Sequence, residues 1–141
     1  MTFTDFEIAY LAEQRLGRLA TLRPDGTLQN SPVGFRYNPA TETIDIVGFR
    51  LAASHKFRNV AATGEVAFVV DDLYSTDPWR VRCLEIRGRA EAIEQPADSA
   101  YGTPEPIIRI RARRIISFGI DDPNRPPHEL VPHNRTVSTA A

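Results

Sequence analysis

Three basic side chains and a hydroxyl crowd into the five residues Ser54-His55-Lys56-Phe57-Arg58. They open a helix predicted over about 54–62, directly after an apolar strand ending at Gly48-Phe49. The first turn of a helix carries unpaired N–H groups, and the helix dipole favours negative charge there. Ser54, His55, Lys56 and Arg58 at that position make an anion site, most naturally for a phosphate. A solvated basic turn on an amphipathic helix would have the same composition.

Other reactive residues are dispersed. His55, His128 and His133 are the histidines and Cys83 the lone cysteine. A zinc site needs about four convergent N/S ligands, so no metal is expected. Cys83 sits between Arg82 and Leu84 in an alternating segment and reads as a small core or interface residue. Asp71-Asp72 and Asp121-Asp122 fall in expected loops with nothing to raise their pKa, so general acid–base work is unsupported. Ser117 lacks the G-x-S-x-G surroundings of a nucleophile elbow.

The chain of 141 residues, 42% apolar and 25% charged, suits a single domain, 1–141. A net charge of −1 gives nucleic acid or an anionic membrane no electrostatic hold. No apolar run reaches the roughly 20 residues of a membrane span. The first residues lack the features of a signal peptide. With one cysteine there is no disulfide framework, and a cytoplasmic setting is expected.

The elements that must position the basic segment follow from pattern. Thr4-Asp5-Phe6-Glu7 is a capping box opening a helix along which Phe6, Ala9, Tyr10, Glu13 and Leu16 follow at helical spacing, with Gly17 as the stop. Strands are predicted over about 18–23, 27–37, 43–49, 65–70, 81–93 and 107–118, with Asp71 to Pro78 as a polar loop. Pro32 inside the second strand requires an edge or a bulge. Arg109, Arg111 and Arg113 share one face of the last strand and read as solvated. Ile108, Ile110, Ala112 and Ile116 form its opposite face. Residues 121–141 are expected to be an irregular tail, mobile from Asn134. Six strands with few helices and short turns indicate a mainly β protein, a small antiparallel barrel. No Gly-rich strand-to-helix loop suggests a Rossmann site.

Four segments then occur in order: Gly17-Arg18-Leu19-Ala20-Thr21-Leu22 with Pro24-Asp25-Gly26, Ser31-Pro32-Val33-Gly34-Phe35, Lys56-x-Arg58-Asn59-Val60, and Val66-Ala67-Phe68-Val69-Val70-Asp71. Together they resemble the pyridoxamine-phosphate-oxidase-like (PPOX class) split β-barrel flavoproteins, in particular the short members that use the deazaflavin coenzyme F-420. The resemblance spans about residues 5 to 120.

The resemblance implies a six-stranded FMN-binding-protein-like split barrel, homodimeric, with two cofactor sites at the dimer interface. It assigns Ser54 and Lys56, with His55 beside them, to the cofactor phosphate. Ser31, Pro32 and Val33 would face the ring through backbone, and Gly48 and Phe49 would flank it. Trp79, with Arg80 next to it, would reach across from the second subunit, as a lid over the ring or as an interface anchor. The apolar face of the 81–93 strand would share that interface. The C-terminal segment lacks the substrate-phosphate motif of the true pyridoxamine phosphate oxidases.

The implied activity is an F-420-dependent oxidoreductase that passes hydride to an electrophilic conjugated small molecule, an enone, quinone or tetrapyrrole. Catalytic side chains are not assigned, because the cofactor carries the chemistry. The alternatives are an FMN- or FAD-binding oxidoreductase of the same fold, or a non-catalytic flavin or haem carrier or sensor. For haem, His55, His128 or His133 would be the axial candidates.

Overall fold

The computed structural model describes residues 1–137. In chain order the elements are α1 (Asp5–Glu13), β1 (Leu16–Leu22), β2 (Leu28–Asn38), β3 (Thr43–Val47), α2 (His55–Thr63), β4 (Glu65–Thr76), β5 (Trp79–Ile93), β6 (Ile107–Phe118) and β7 (His133–Thr136). The sheet order is β3-β2-β1-β4-β5-β6-β7, and a β3–β6 pairing closes the first six into a barrel. Every pairing is antiparallel. Among the described residues no helix is long and apolar enough to cross a membrane.

Inward side chains of alternate positions fill the barrel: Leu19, Phe35, Ile44, Ile46, Phe68, Leu84, Ile86, Ile108, Ile110 and Ile115. Phe35 and Phe68 meet edge to face at 5.2 Å. Gly17 is not the stop of α1, which ends at the Gln14 cap. Gly17 lies in β1, where a Cβ would come within 2.4 Å of Phe68 Cζ, so the ring takes up the space of the missing side chain. The capping box forms as expected, Glu7 N–H donating to Thr4 Oγ1 and Thr4 N–H to Glu7 Oε1. The buried face of α1 is Glu7, Tyr10 and Leu11, whereas Phe6 is 58% exposed.

Further expectations are corrected. Residues 71–76 are not a loop, because β4 and β5 continue to Thr76 opposite Trp79. Beyond Val69 β4 leaves β1 behind, and before Cys83 β5 has no partner in β6, so the two strands project as an arm. Tyr10 Oη donates to Asp72 Oδ1 at 2.7 Å, and Arg82 Nη2 lies 2.7 Å from Asp72 Oδ2, which ties the arm to α1.

The segment after Ile120 is not wholly irregular. β6 pairs with β3 only through residues 108–110, leaving the same edge of 114–117 uncovered, and β7 takes it. Asn134 to Thr136 are therefore strand, and Arg135 pairs with Glu7 at 2.7 Å. Residues 138–141, the end of the expected mobile stretch, lie outside the described residues.

In β6, Arg111 and Arg113 are exposed as expected, but Arg109 is buried, at 4% exposure, against Asp45. The register shifts between Arg87 and Gly88, so Arg113 has no partner in β5 and bulges. Past the bulge the alternation changes phase, and Ile115 rather than Ile116 reaches the core. The apolar side of β5 (Leu84, Ile86, Ala90) is buried inside the barrel, so it cannot form a dimer interface. The outward side carries Cys83, Glu85, Arg87 and Arg89.

Candidate functional site

The Ser54–Arg58 segment opens α2 as its residue types predict. Ser54 is the N-cap: its Oγ accepts from Phe57 N–H at 3.2 Å and donates to Leu51 O at 2.6 Å. Its hydroxyl proton is thereby committed, so Ser54 shapes the helix end more than it offers a donor in front of it. Phe57 and Val60 bury one side of α2 in the core, and Gly64, at φ 71°, closes it in the left-handed region. His55 and Arg58 are exposed and Lys56 is half-buried. Arg58 Nη2 donates to Ala53 O. Lys56 forms no salt bridge among the described residues.

Asn59 Nδ2 donates to both Thr21 Oγ1 and Gln29 Oε1, each at 3.1 Å, fixing α2 against β1 and β2. Lys56 lies one turn earlier on the same helix face as Asn59. The stretch of β2 that Asn59 reaches is half-open: residues 28–33 pair with β1 alone, because β3 joins only from Gly34 onward. Pro32, lacking an N–H, sits on that open stretch and leaves no ladder bond unmade. Val33 is buried in the core beneath it. Ser31 Oγ is buried and has no hydrogen-bond partner among the described residues, and such an orphaned hydroxyl calls for an explanation. A ring lying along this edge would supply one.

Gly48 and Phe49 continue from β3 past the last ladder pair, Gly34–Val47, and so border the same edge. Phe49 is 95% exposed. Thus Ser31, Pro32, Val33, Gly48, Phe49, Ser54, His55 and Lys56 belong to neighbouring elements around one open strand edge.

Trp79 and Arg80 do not join them within one chain. They lie at the tip of the arm, ten β4 positions from Val66, about 33 Å at the usual rise per residue. Trp79 is 60% exposed. Arg80 Nη1 donates to Pro123 O, and its Nε is buried without a partner among the described residues. Asn59 and Gln29 carry weight that sequence reasoning missed. Asn59 on the same helix face as Lys56 was the available signal.

Cys83 is half-buried on the outward side of β5; burial, then the charges of Asp71 and Glu85, push its thiol up to about 11. Among the described residues no group of three or more His, Cys, Asp or Glu is placed to hold a metal ion.

The family model for pyridoxamine 5′-phosphate oxidase matches residues 4–131. The chain is 44% identical over 124 residues, 86% of each protein, to the 5a,11a-dehydrotetracycline/5a,11a-dehydrooxytetracycline reductase of Streptomyces rimosus. A solved F420 reductase superimposes with a TM-score of 0.55 at 25% identity, over 74% of this chain and 90% of that one. An FAD-binding protein from Mycobacterium smegmatis shares the fold, with a TM-score of 0.62 at 20% identity, over 82% and 93% of the two chains. A half-open split barrel, an anion-ready helix end beside it and these likenesses agree: the chain belongs to the pyridoxamine 5′-phosphate oxidase family and is an oxidoreductase of that fold.

Proposed function

We propose that the protein is a deazaflavin (coenzyme F-420)-dependent reductase acting on an electrophilic conjugated small molecule. The observation that carries this reading is the 44% identity, over 86% of both chains, to a reductase of a dehydro compound. The likeness to an F420 reductase supports the choice of cofactor.

The residues at the site fit such a cofactor. Lys56 and the free N–H groups of the first turn of α2 would hold its phosphate, with Ser54 keeping that turn formed. The open edge of β2 would take the ring, Ser31 Oγ gaining a hydrogen-bond partner and Pro32 presenting no competing donor. A bound deazaflavin supplies hydride, and the chain's part is to position it and exclude water. A homodimer completes the reading: Trp79 and Arg80, remote from Lys56 in their own chain, would reach the site of a second copy. Leu73, Tyr74 and Trp79 are exposed on the same arm, which suits a protein contact. A redox enzyme with one free cysteine suits the reducing cytoplasm.

The test is a titration followed by absorption and fluorescence, with F-420 and FMN compared side by side. Tight F-420 binding and F-420H2-driven reduction of an enone are expected. Binding of FMN but not F-420 would overturn the cofactor assignment, and binding of neither would overturn the reading.

A further inference from the structure

The arm formed by β4 and β5 begins where their outer neighbours stop, β1 at the Arg18–Val69 pair and β6 at the Cys83–Phe118 pair. An unsupported two-stranded ribbon is marginal in water. Leu73, Tyr74 and Trp79 on this one are exposed, so apolar packing within the chain does little to aim it.

One side chain near the root of the arm supplies a fixed direction. Arg82 is the register partner of Asp72, and all three nitrogens of its guanidinium meet acceptors. Nε lies 2.9 Å from Asp72 Oδ1, Nη2 lies 2.7 Å from Asp72 Oδ2, and Nη1 lies 3.1 Å from Glu13 Oε2 at the end of α1. A bidentate arginine–carboxylate pair fixes angle as well as distance. The guanidinium carbon also lies 5.0 Å from the ring centres of both Tyr10, on α1, and Tyr74, on β4. The Arg82 side chain is only 14% exposed, although it sits on a projecting hairpin.

The arm bends just beyond this clamp. Its register steps from Leu73–Val81 to Ser75–Arg80, which leaves Tyr74 without a partner. A bulge of this kind bends its strand and increases the local twist. Arg82 holds the arm on the barrel side of the bend, and Trp79 and Arg80 lie past it. Two other ties of the arm are weaker. Arg18 pairs with Asp71 on the exposed surface, and Arg80 Nη1 reaches Pro123 O at 3.4 Å.

We propose that Arg82 is a positioning residue for the cofactor site: it sets the angle at which the arm leaves the barrel, and so where Trp79 arrives on a second copy. That Trp79 covers a deazaflavin there rests on the function proposed above; the clamp at Arg82 does not. Trp79 lies three β5 positions from Arg82. That is about 10 Å at the usual rise, so a tilt of roughly 10° at the clamp moves the ring by about 2 Å. A functional contact needs placement within about 0.5 Å.

The experiment compares the parent with Arg82→Lys, which keeps the charge and loses the fork, and with the double variant Asp72→Asn, Arg82→Gln, which removes the pair together. Melting temperature and sedimentation are measured alongside and should match the parent. Trp79, the sole tryptophan, reports on the arm directly. Time-resolved anisotropy of the ligand-free protein should show a larger fast component in both variants, and no change in Arg18→Gln. F-420 binding should weaken about two- to tenfold in both, the range an aromatic contact supplies, with less quenching of Trp79 at saturation. In a Trp79→Ala background, Arg82→Lys should leave F-420 affinity unchanged, because Arg82 acts through that ring. Unchanged anisotropy, an equal effect of Arg18→Gln, dissociation of Arg82→Lys, or a further loss in the Trp79→Ala background would overturn the proposal. Failure of the parent to bind F-420, with Trp79 loosened in the variants, removes the cofactor reading and leaves the clamp.

Discussion

Arg109 and Asp45 form the middle rung of the three-rung seam that closes the barrel, between Ile44–Ile110 and Ile46–Ile108. Arg109 Nε lies 3.0 Å from Asp45 Oδ1 and Nη2 lies 3.1 Å from Oδ2, with Asp45 fully buried. Burial alone would raise the Asp45 carboxyl, but hydrogen bonds from Arg109, Asn38 and Ala100 hold it below its usual range. Arg109→Met should cost about 3–5 kcal/mol, because it leaves a buried carboxylate unpaired. Chemical denaturation measures this, and Asp45→Leu combined with Arg109→Met should cost less than the two single losses added.

The same pair sets an acid limit. A carboxyl with a depressed folded pKa stabilises the protein above its unfolded value, about pH 4, and that stability is lost as pH falls through the lower folded value. Stability measured from pH 5 downward should therefore fall in the parent. In the Asp45→Leu, Arg109→Met double variant the fall should be shallower. Equal slopes would remove this pair as the source.

Lys56→Ala should weaken F-420 binding by about 1.5–3 kcal/mol. Ser54→Ala should act chiefly on the fold, because its oxygen caps α2, costing about 1 kcal/mol of stability. Fluorescence titration and thermal melting of both variants separate the two effects. A larger affinity loss in Ser54→Ala than in Lys56→Ala would reverse the assignment.

Trp79→Ala should loosen the cofactor several-fold while sedimentation still reports a dimer, since aromatic contacts are worth roughly 0.5–1.5 kcal/mol beyond area. As the sole tryptophan, Trp79 should also be quenched on F-420 binding. A monomeric variant with unchanged affinity per folded site would make Trp79 an anchor only.

With its thiol pushed up to about 11, Cys83 should be mostly protonated and slow to alkylate at pH 7. The rate of iodoacetamide labelling should rise as pH approaches 10. Fast labelling at neutral pH would show that the thiol is more exposed and more acidic than its surroundings imply.

The six barrel strands, the Thr4 cap, the Ser54 helix start and the open stretch around Pro32 were legible because each rests on local residue chemistry. What was hidden depended on partners distant in sequence. Arg109 sits in the same alternating row as Arg111 and Arg113, and Asp45, 64 positions away, together with Asp98 draws it inward. Asp71 to Thr76 are polar enough to read as a loop, yet pairing with Trp79 to Cys83 makes them strand. β7 has no apolar alternation and forms because it covers an edge that β3 leaves bare. Phe6 looks like a core residue on any helical wheel, but the core takes Tyr10, whose hydroxyl has Asp72 to meet.

The bulge at Arg113 makes β6 a sentence with two grammatical readings. With the bulge, Ile115 and Ser117 point inward; without it, Arg114, Ile116 and Phe118 would. An isoleucine fills the core position either way, and the straight register would bury Phe118 in place of Ser117, so hydrophobic content does not favour the bulge. The vote belongs to Arg114, whose charge would be buried unpaired in the straight register. Neutralising it by Arg114→Leu should therefore not simply loosen the fold. It should admit a second register of β6, seen as doubled amide resonances for residues 113–118 and for their β5 partners.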